Sequence, residues 1–246
     1  MAPEARRLLL LAVAVGSLAL MLALDPFGQS QGYHRFADQR AFLGVPNFLD
    51  VSSNLAFLLV GAAGIAFSFS DRTGSLRIAW LTFFIGVALV SAGSAYYHVS
   101  PNDQTLVWDR LPITLAFMGL LAAVLGESVS ERLGRLILAP AVLLGLASVL
   151  YWRGFDDVRL YYWIQLLPLL IVPVVLALFP SRYTRRWLLL LALGVYVLAK
   201  ISEACDAAVF ASTGQLFSGH TLKHLLAALS CLVVLAMLWS RRSAAP

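Results

Sequence analysis

The sequence predicts an all-α protein that crosses a membrane several times. Hydrophobic residues make up 60% of the 246 residues and charged residues only 13%, and the mean hydropathy is +0.82. A soluble domain usually carries roughly 25% charged residues and about 45–50% apolar ones. This composition therefore excludes an ordinary soluble enzyme, a disordered tail and a disulfide-stapled secreted module. It leaves a polytopic membrane helix bundle as the fold class.

Eight apolar stretches have the length of about 17–25 residues that a membrane-spanning helix needs. Backbone polar groups in lipid must be hydrogen-bonded within their own segment, which favours helices over strands. No repeat, low-complexity tract or linker indicates a second domain, so residues 1–246 are expected to form a single integral membrane domain. The predicted spans are 8–24, 49–69, 78–98, 108–126, 135–152, 160–179, 187–207 and 219–239.

The first of these spans permits two interpretations. Basic residues near the N-terminus followed by an apolar run resemble a signal peptide. The apolar run 8–24 is longer than the ~7–15 residues of a typical signal core, which favours a retained helix. Cleavage would leave seven helices and an N-terminus outside, without changing the remaining topology.

The basic residues predict the orientation of the spans. Eleven arginines flank one set of helix ends and four lie in the opposite loops, so the positive-inside rule places both termini in the cytoplasm. The net charge of +5 then reflects topology and attraction to anionic lipids, and no nucleic-acid partner is expected. The eleven are Arg6, Arg7, Arg72, Arg77, Arg132, Arg135, Arg182, Arg185, Arg186, Arg241 and Arg242.

Three of the four histidines are predicted to lie at one membrane level, on the extracytoplasmic side. His220 and His224 are four residues apart and so share one face of the last helix, while His98 ends the third helix. A histidine at a helix end is often only an interfacial residue, and the match to the zinc motif H-E-x-x-H is partial because Thr221 replaces the glutamate. Three neutral imidazoles and one water nevertheless make an open zinc site of the catalytic type, so we expect Zn²⁺ rather than copper or iron.

Two polar residues beside these histidines are candidates for catalysis. Asp109, near the start of the fourth predicted helix, is either a carboxylate favoured by the helix dipole and paired with Arg110, or a functional residue that hydrogen-bonds a metal ligand or acts as a general base. Ser94 precedes His98 by one turn. Its hydroxyl either bonds a backbone carbonyl one turn earlier or donates to the substrate carbonyl.

Four further charged residues lie in apolar helices, where an ionisable side chain needs a partner or a function. We expect them to form a buried ion-pair network between the seventh and eighth helices. These residues are Lys200, Glu203, Asp206 and Lys223.

Together these motifs resemble the alkaline ceramidases, which share a superfamily with the progestin/adipoQ receptors and the GPI-lipid remodelling hydrolases. The family pattern is Ser-Asn-Leu in an early helix, Ser-x-x-x-His with an aspartate eleven residues later, and His-x-x-x-His in the last helix. The resemblance spans roughly residues 33–240, and residues 33–40 are similar to the bacterial branch. The matching residues are Ser53-Asn54-Leu55, Ser94 with His98, Asp109 with Leu111-Pro112, and His220 with His224.

The resemblance implies a seven-helix core, to which the first span is an extra N-terminal helix. It implies zinc held by the three histidines, catalysis assisted by Ser94 and Asp109, and hydrolysis of the amide bond of a ceramide-like N-acyl lipid to a fatty acid and a sphingoid base. The lipid would come from the bilayer, in a bacterial inner membrane.

The resemblance also raises the question of a second metal. Eukaryotic members carry an acidic calcium-binding cluster just before the Ser-Asn-Leu run. This chain offers only Asp38, Asn47 and Asp50 as calcium ligands there, and the nearby Arg35 and Arg40 disfavour binding of a cation.

Three other functions remain open from the sequence. An esterase or phospholipase would use the same zinc chemistry on another acyl lipid. A receptor of the progestin/adipoQ kind would bind metal without rapid turnover. A retinal protein could use Lys223 and Asp109 but would leave the histidines unexplained.

Overall fold

The computed structural model describes residues 1–180 and 182–243, and all regular secondary structure in this part of the chain is helical. Two short 3₁₀ turns, Gln31–His34 and Asp71–Leu76, lie between the α-helices. The α-helices are α1 (Pro3–Ala23), α2 (Phe48–Ser53), α3 (Leu55–Ser68), α4 (Arg77–Val99), α5 (Asp103–Ser128), α6 (Glu131–Phe155), α7 (Arg159–Leu178), α8 (Leu188–Ala204), α9 (Asp206–Ser212) and α10 (Gly219–Ser240).

The predicted all-α, polytopic fold is confirmed. Among the described residues, seven helical segments are long and apolar enough to cross a membrane, with α2 and α3 counted as one segment. The pair α8 and α9 gives an eighth candidate span if the two are taken together. The eight predicted spans therefore correspond to seven uninterrupted segments and one bent pair.

The seventh predicted span, 187–207, is wrong at its C-terminal end. Helix α8 ends at Ala204, and the chain bends by 84° at Cys205 into α9. Neither glycine nor proline marks this bend in the sequence. As a result Asp206 begins a new helix with a different direction from the one that carries Lys200 and Glu203.

The fourth predicted span, 108–126, starts too late. The Asn102 side chain accepts hydrogen bonds from the backbone N–H groups of Gln104 (2.9 Å) and Thr105 (3.1 Å), and its own N–H donates to Thr105 Oγ1 (3.2 Å). This reciprocal cap starts the helix at Asp103. Asp109 therefore lies in the second turn, beyond the first turn in which a helix dipole stabilises a carboxylate.

Helix α1 lies at the edge of the bundle, where it packs on α7. Trp163 Nε1 donates to Ser17 Oγ (3.1 Å), and the Arg159 guanidinium donates to the carbonyls of Leu22 (3.1 Å) and Leu24 (2.5 Å). Most of the other α1 side chains are exposed. This is the position expected of an extra helix outside a seven-helix core.

Helices α4 and α5 approach each other closely, because glycines lie where the two backbones meet. A Cβ atom at Gly86 would come within 2.5 Å of the backbone N of Ala116, and one at Gly119 within 2.5 Å of the backbone N of Phe83. Small residues at such positions are the usual means of close helix packing in membranes. This seam fixes α4, and with it His98, against α5.

We therefore expect Gly86→Ala to destabilise the protein by about 1–3 kcal/mol, the usual cost of overpacking. Gly194→Ala in α8 is the matched control, since a Cβ there meets no atom within 4 Å. Both variants add one methyl group to a helix. Thermal unfolding in detergent should show a lower midpoint for the first variant only, and equal midpoints would contradict this account of the seam.

Candidate metal centre

The structure brings His98, His220 and His224 together inside the protein. His98 comes from the last turn of α4, and the other two come from the first two turns of α10. Their exposed fractions are 0%, 3% and 1%. One nitrogen from each ring lies within 4.8 Å of the others, and the ring centroids are 4.8–4.9 Å apart.

The spacing of one nitrogen pair matches that of two ligands on a tetrahedral metal ion. Nε2 of His98 and Nε2 of His224 are 3.2 Å apart and point at each other. Two ligand nitrogens on one zinc, each at about 2.0–2.1 Å, would be roughly 3.3 Å apart. Three imidazoles and no thiolate make a donor set that suits zinc. The site is therefore a candidate metal centre by its residues and by its spacing.

Ser53 orients one of the three histidines. Its Oγ lies 2.8 Å from His224 Nδ1 and 3.1 Å from the carbonyl oxygen of Asp50. Because the hydroxyl proton goes to the carbonyl, the remaining bond runs from the Nδ1 proton of His224 to the serine oxygen. The lone pair of His224 Nε2 then faces the cluster, as metal binding requires. This contact gives the serine of the Ser-Asn-Leu run a role that the sequence did not reveal.

Two of the calcium candidates hold the helices that carry the histidines. Asp50 is fully buried, and its Oδ1 accepts hydrogen bonds from Thr221 Oγ1 (2.6 Å) and Ser218 Oγ (3.3 Å) at the start of α10. Asn47 Nδ2 donates to the carbonyl oxygen of His98 (2.8 Å). Both side chains therefore have protein partners, although Asp50 Oδ2 is buried without one among the described residues.

The third calcium candidate, Asp38, forms an ion pair. Arg40 donates to both of its carboxylate oxygens, at 2.7 Å each. These hydrogen bonds hold the pKa of the Asp38 carboxyl below its usual range. The carboxylate is therefore already neutralised by a cation of the chain itself.

Asp109 and Ser94 lie beside the histidines and line the same cavity as His224. Both are buried, with 5% and 2% exposed, and the Ser94 hydroxyl faces the Asp109 carboxylate. Arg110 does not pair with Asp109. It donates to Gln29 Oε1 instead, and its guanidinium lies over the rings of Trp152 (4.0 Å) and Tyr161 (4.3 Å).

The predicted ion-pair network is confirmed for three of its four residues. Glu203 binds Lys200 and, at 2.7 Å, Lys223, and so joins α8 to α10. Lys223 Nζ also lies 3.2 Å from His220 Nε2. The prediction was wrong for Asp206, because the bend at Cys205 moves it away, and its carboxylate binds backbone N–H groups instead.

A cavity of about 150 Å³ extends from His224 into the bundle. This is roughly ten times the volume that a single water molecule requires. Its polar end is formed by Ser94, Asp109 and His224 together with the lysine–glutamate network. The remaining walls, from α3, α4, α5, α7, α8 and α10, are mainly apolar, and include Phe83, Val172 and Val234.

A scan of the chain against protein-family models found no match, and a search of curated proteins found none either. The chemistry of the centre therefore rests on its geometry. His224 of the histidine cluster, a carboxylate and a hydroxyl share one end of an apolar cavity. Such a group can hold a divalent cation, accept a proton and donate a hydrogen bond to an oxygen.

The fourth histidine lies outside the cluster. His34 Nδ1 is 2.9 Å from the Tyr97 hydroxyl, and Nε2 is 3.0 Å from Asp103 Oδ1. This residue therefore offers a matched control for metal binding.

We expect alanine substitution of His98, His220 or His224 to abolish zinc binding, and His34→Ala to retain one zinc per chain. Elemental analysis of the purified variants tests this, and a zinc-loaded His98→Ala protein would refute the assignment.

Ser53→Ala removes the hydrogen bond to His224 and leaves all three ligands in place. Loss of such an outer contact typically costs about 10–100-fold in metal affinity. We expect a weakening of that size in a competition titration with a zinc chelator. Ser52→Ala serves as the control, because Ser52 is exposed and bonds only the carbonyl of Leu49. Equal affinities in the two variants would count against the role of Ser53.

Proposed function

We propose that the protein is a zinc-dependent hydrolase of the membrane interior that cleaves the amide bond of a ceramide-like N-acyl lipid, releasing a fatty acid and a sphingoid base. One observation carries the proposal: His224, Asp109 and Ser94 form the polar end of a cavity whose other walls are mainly apolar. The motif resemblance to the alkaline ceramidases supports it, and we propose membership of that superfamily on the same residues.

The apolar part of the cavity suits an acyl chain. Ten residues separate His224 from Val234 on α10, both of which line it, so the cavity follows that helix for about 15 Å. Transfer of an acyl chain from lipid to such a cavity costs little, because both surroundings are apolar. The amide bond would then lie at the polar end, beside the histidines.

The lipid is proposed to enter between α7 and α8. Both helices line the cavity, yet α8 packs mainly on α10 and only sparsely on α7. One side-chain hydrogen bond crosses this seam, from the Tyr196 hydroxyl to Gln165 Oε1 (3.3 Å). A seam with so little direct packing can open without disturbing the α4–α5 contact that positions His98.

The chain's own residues supply the proton transfers. Zinc, when bound by His98, His220 and His224, supplies Lewis acidity toward a carbonyl oxygen and toward water. The Asp109 carboxylate accepts a proton from the attacking water and returns it to the nitrogen of the leaving amine. Ser94 Oγ donates a hydrogen bond to the oxygen of the acyl carbonyl as negative charge develops there.

We also propose that the site faces the extracytoplasmic side of a bacterial inner membrane, with both termini in the cytoplasm. His98 lies at the C-terminal end of α4 and His220 at the N-terminal end of α10. The opposite ends of these helices meet where Arg241 Nη2 donates to the carbonyl of Arg72 (3.0 Å). The histidines and these arginines therefore lie at opposite ends of the bundle, as the positive-inside rule requires of an outward-facing site.

The direct test is mass spectrometry of lipids incubated with the purified protein. N-acyl and O-acyl lipids with the same chains should be compared, with and without a zinc chelator. We expect chelator-sensitive release of fatty acid from the N-acyl lipid. Faster cleavage of the O-acyl lipid would indicate an esterase or phospholipase, and metal binding without product would indicate a receptor.

Asp109→Asn keeps the size of the side chain and removes its basicity. We expect turnover to fall by about 10²–10⁴-fold, the usual contribution of a general base, while zinc content stays at the wild-type level. Asp103→Asn at the start of the same helix is the control, since Asp103 binds His34 and Gln31 outside the cavity. Full activity of the Asp109 variant would exclude it as the base.

The extent of the cavity along α10 provides a further test of where the acyl chain binds. Cys231 lies on its wall, seven residues beyond His224 on α10. A phenylalanine at this position should block the far part of the cavity. We expect Cys231→Phe to shift the preferred substrate toward shorter acyl chains, and Cys231→Ser to leave the preference unchanged. An unaltered chain-length profile in both would place the acyl chain elsewhere.

A further inference from the structure

Residues 25–47, the segment between α1 and α2, cover the histidine cluster, and we call this segment the strap. Its central residue, Phe36, is buried, and its ring centroid lies 4.7 Å from the rings of both His98 and His220. The strap therefore separates these two histidines from the outside at the end of the bundle. His224 remains in contact with the apolar cavity.

Several contacts hold the strap to the helices beneath it. The Tyr33 hydroxyl donates to Glu203 Oε1 (3.0 Å), and burial raises the pKa of this hydroxyl, so it stays protonated. His34 binds Tyr97 and Asp103.

Arg40 holds the second half of the strap. It donates to the carbonyl of Leu216 (3.1 Å) and lies over the ring of Phe210. Together with those of Tyr33 and His34, these contacts reach α4, α5, α8, α9 and the segment before α10.

One carboxylate connects the strap directly to a metal ligand. Asp206 Oδ2 accepts a hydrogen bond from the backbone N–H of Ala37 (2.8 Å), next to Phe36. Its Oδ1 accepts one from the backbone N–H of His220 (2.7 Å). Both bonds have a charged acceptor, which makes them stronger than ordinary backbone hydrogen bonds. The Asp206 side chain thus helps to position both the strap and His220.

The fold places Asp206 there by two local features. The 84° bend at Cys205 turns the first residue of α9 toward the start of α10. Gly219 then allows the two segments to touch, because a Cβ at this position would lie 2.2 Å from the Ser202 carbonyl oxygen and 2.7 Å from Asp206 Cα. The bend and the glycine together allow Asp206 to reach the start of α10.

From these contacts we propose that Asp206 is a positioning residue that locks the strap over the histidine cluster and fixes His220 for metal binding. Exchange of the metal with the outer solution then requires release of the strap. The proposal rests on the part of the proposed function that assigns a metal to the cluster. A role limited to capping α10 predicts a different result: lower thermal stability, with an unchanged metal environment and an unchanged strap.

The test combines two measurements on the full-length protein in nanodiscs. Accessibility of the strap is followed with Ala37→Cys and a membrane-impermeant maleimide, in a background where Cys205 and Cys231 are serines. The metal environment is followed with Co²⁺, by its visible absorption spectrum and by its rate of removal with EDTA. The variants are Asp206→Ala, Asp206→Asn and the control Asp103→Asn, which alters a strap contact without touching α10.

Loss of two charge-assisted hydrogen bonds should raise both the labelling rate and the rate of Co²⁺ removal at least about tenfold in Asp206→Ala. Its Co²⁺ spectrum should change, whereas Asp206→Asn, which keeps one acceptor oxygen, should give intermediate rates. The control should keep the wild-type spectrum. Wild-type labelling in Asp206→Ala would overturn the proposal. Failure of the wild-type protein to take up Co²⁺ would contradict the proposed metal, while the labelling still decides whether Asp206 locks the strap.

Discussion

The geometry of the site depends on two carboxylates, the buried Asp50 and the half-buried Asp206, that hold the first turns of α10. Asp50 binds the side chains of Ser218 and Thr221, and Asp206 binds the backbone N–H of His220. The start of a helix has unpaired N–H groups and a partial positive charge, so carboxylates are the natural partners there. Because two metal-ligand candidates lie in these turns, any movement of α10 would separate them from His98.

This arrangement explains how a polar centre is maintained in an apolar protein. A buried ionisable group is costly unless it is paired, and the charged residues around the histidines meet that requirement in different ways. Glu203 pairs with two lysines, Asp38 with Arg40, and Asp206 with backbone donors. Glu203 and Asp109 both line the cavity, but Asp109 forms no ion pair with a described residue and faces the Ser94 hydroxyl. A carboxylate that lines the cavity without a paired cation is the one placed to exchange a proton with a bound molecule.

Much of this could be predicted from local sequence patterns, and the remainder depends on distant contacts. Hydropathy gives the helices, and the spacing of His220 and His224 gives a shared face, because both follow from short-range geometry. The hydrogen bond between His224 and Ser53 joins residues 171 positions apart, and that from Ala37 to Asp206 spans 169. No glycine or proline in the sequence indicates the bend at Cys205. The helical spacing therefore predicts that Asp206 joins the lysine network, whereas in the fold Asp206 binds the strap.

The opposite end of the bundle is also closed by buried polar contacts. Glu127 Oε1 accepts from Trp80 Nε1 (2.9 Å) and from the Arg241 guanidinium (2.6 Å), and Arg241 also binds the carbonyl of Arg72. These contacts tie α4, α5 and α10 together beyond the end of the cavity that lies away from the histidines. The strap covers one end of the bundle and this cluster closes the other. Among the neighbouring helices that line the cavity, α7 and α8 have the sparsest mutual packing. A cavity closed at both ends and loosely packed along one side is reached more easily from the bilayer than from water, and this supports the proposed lipid substrate.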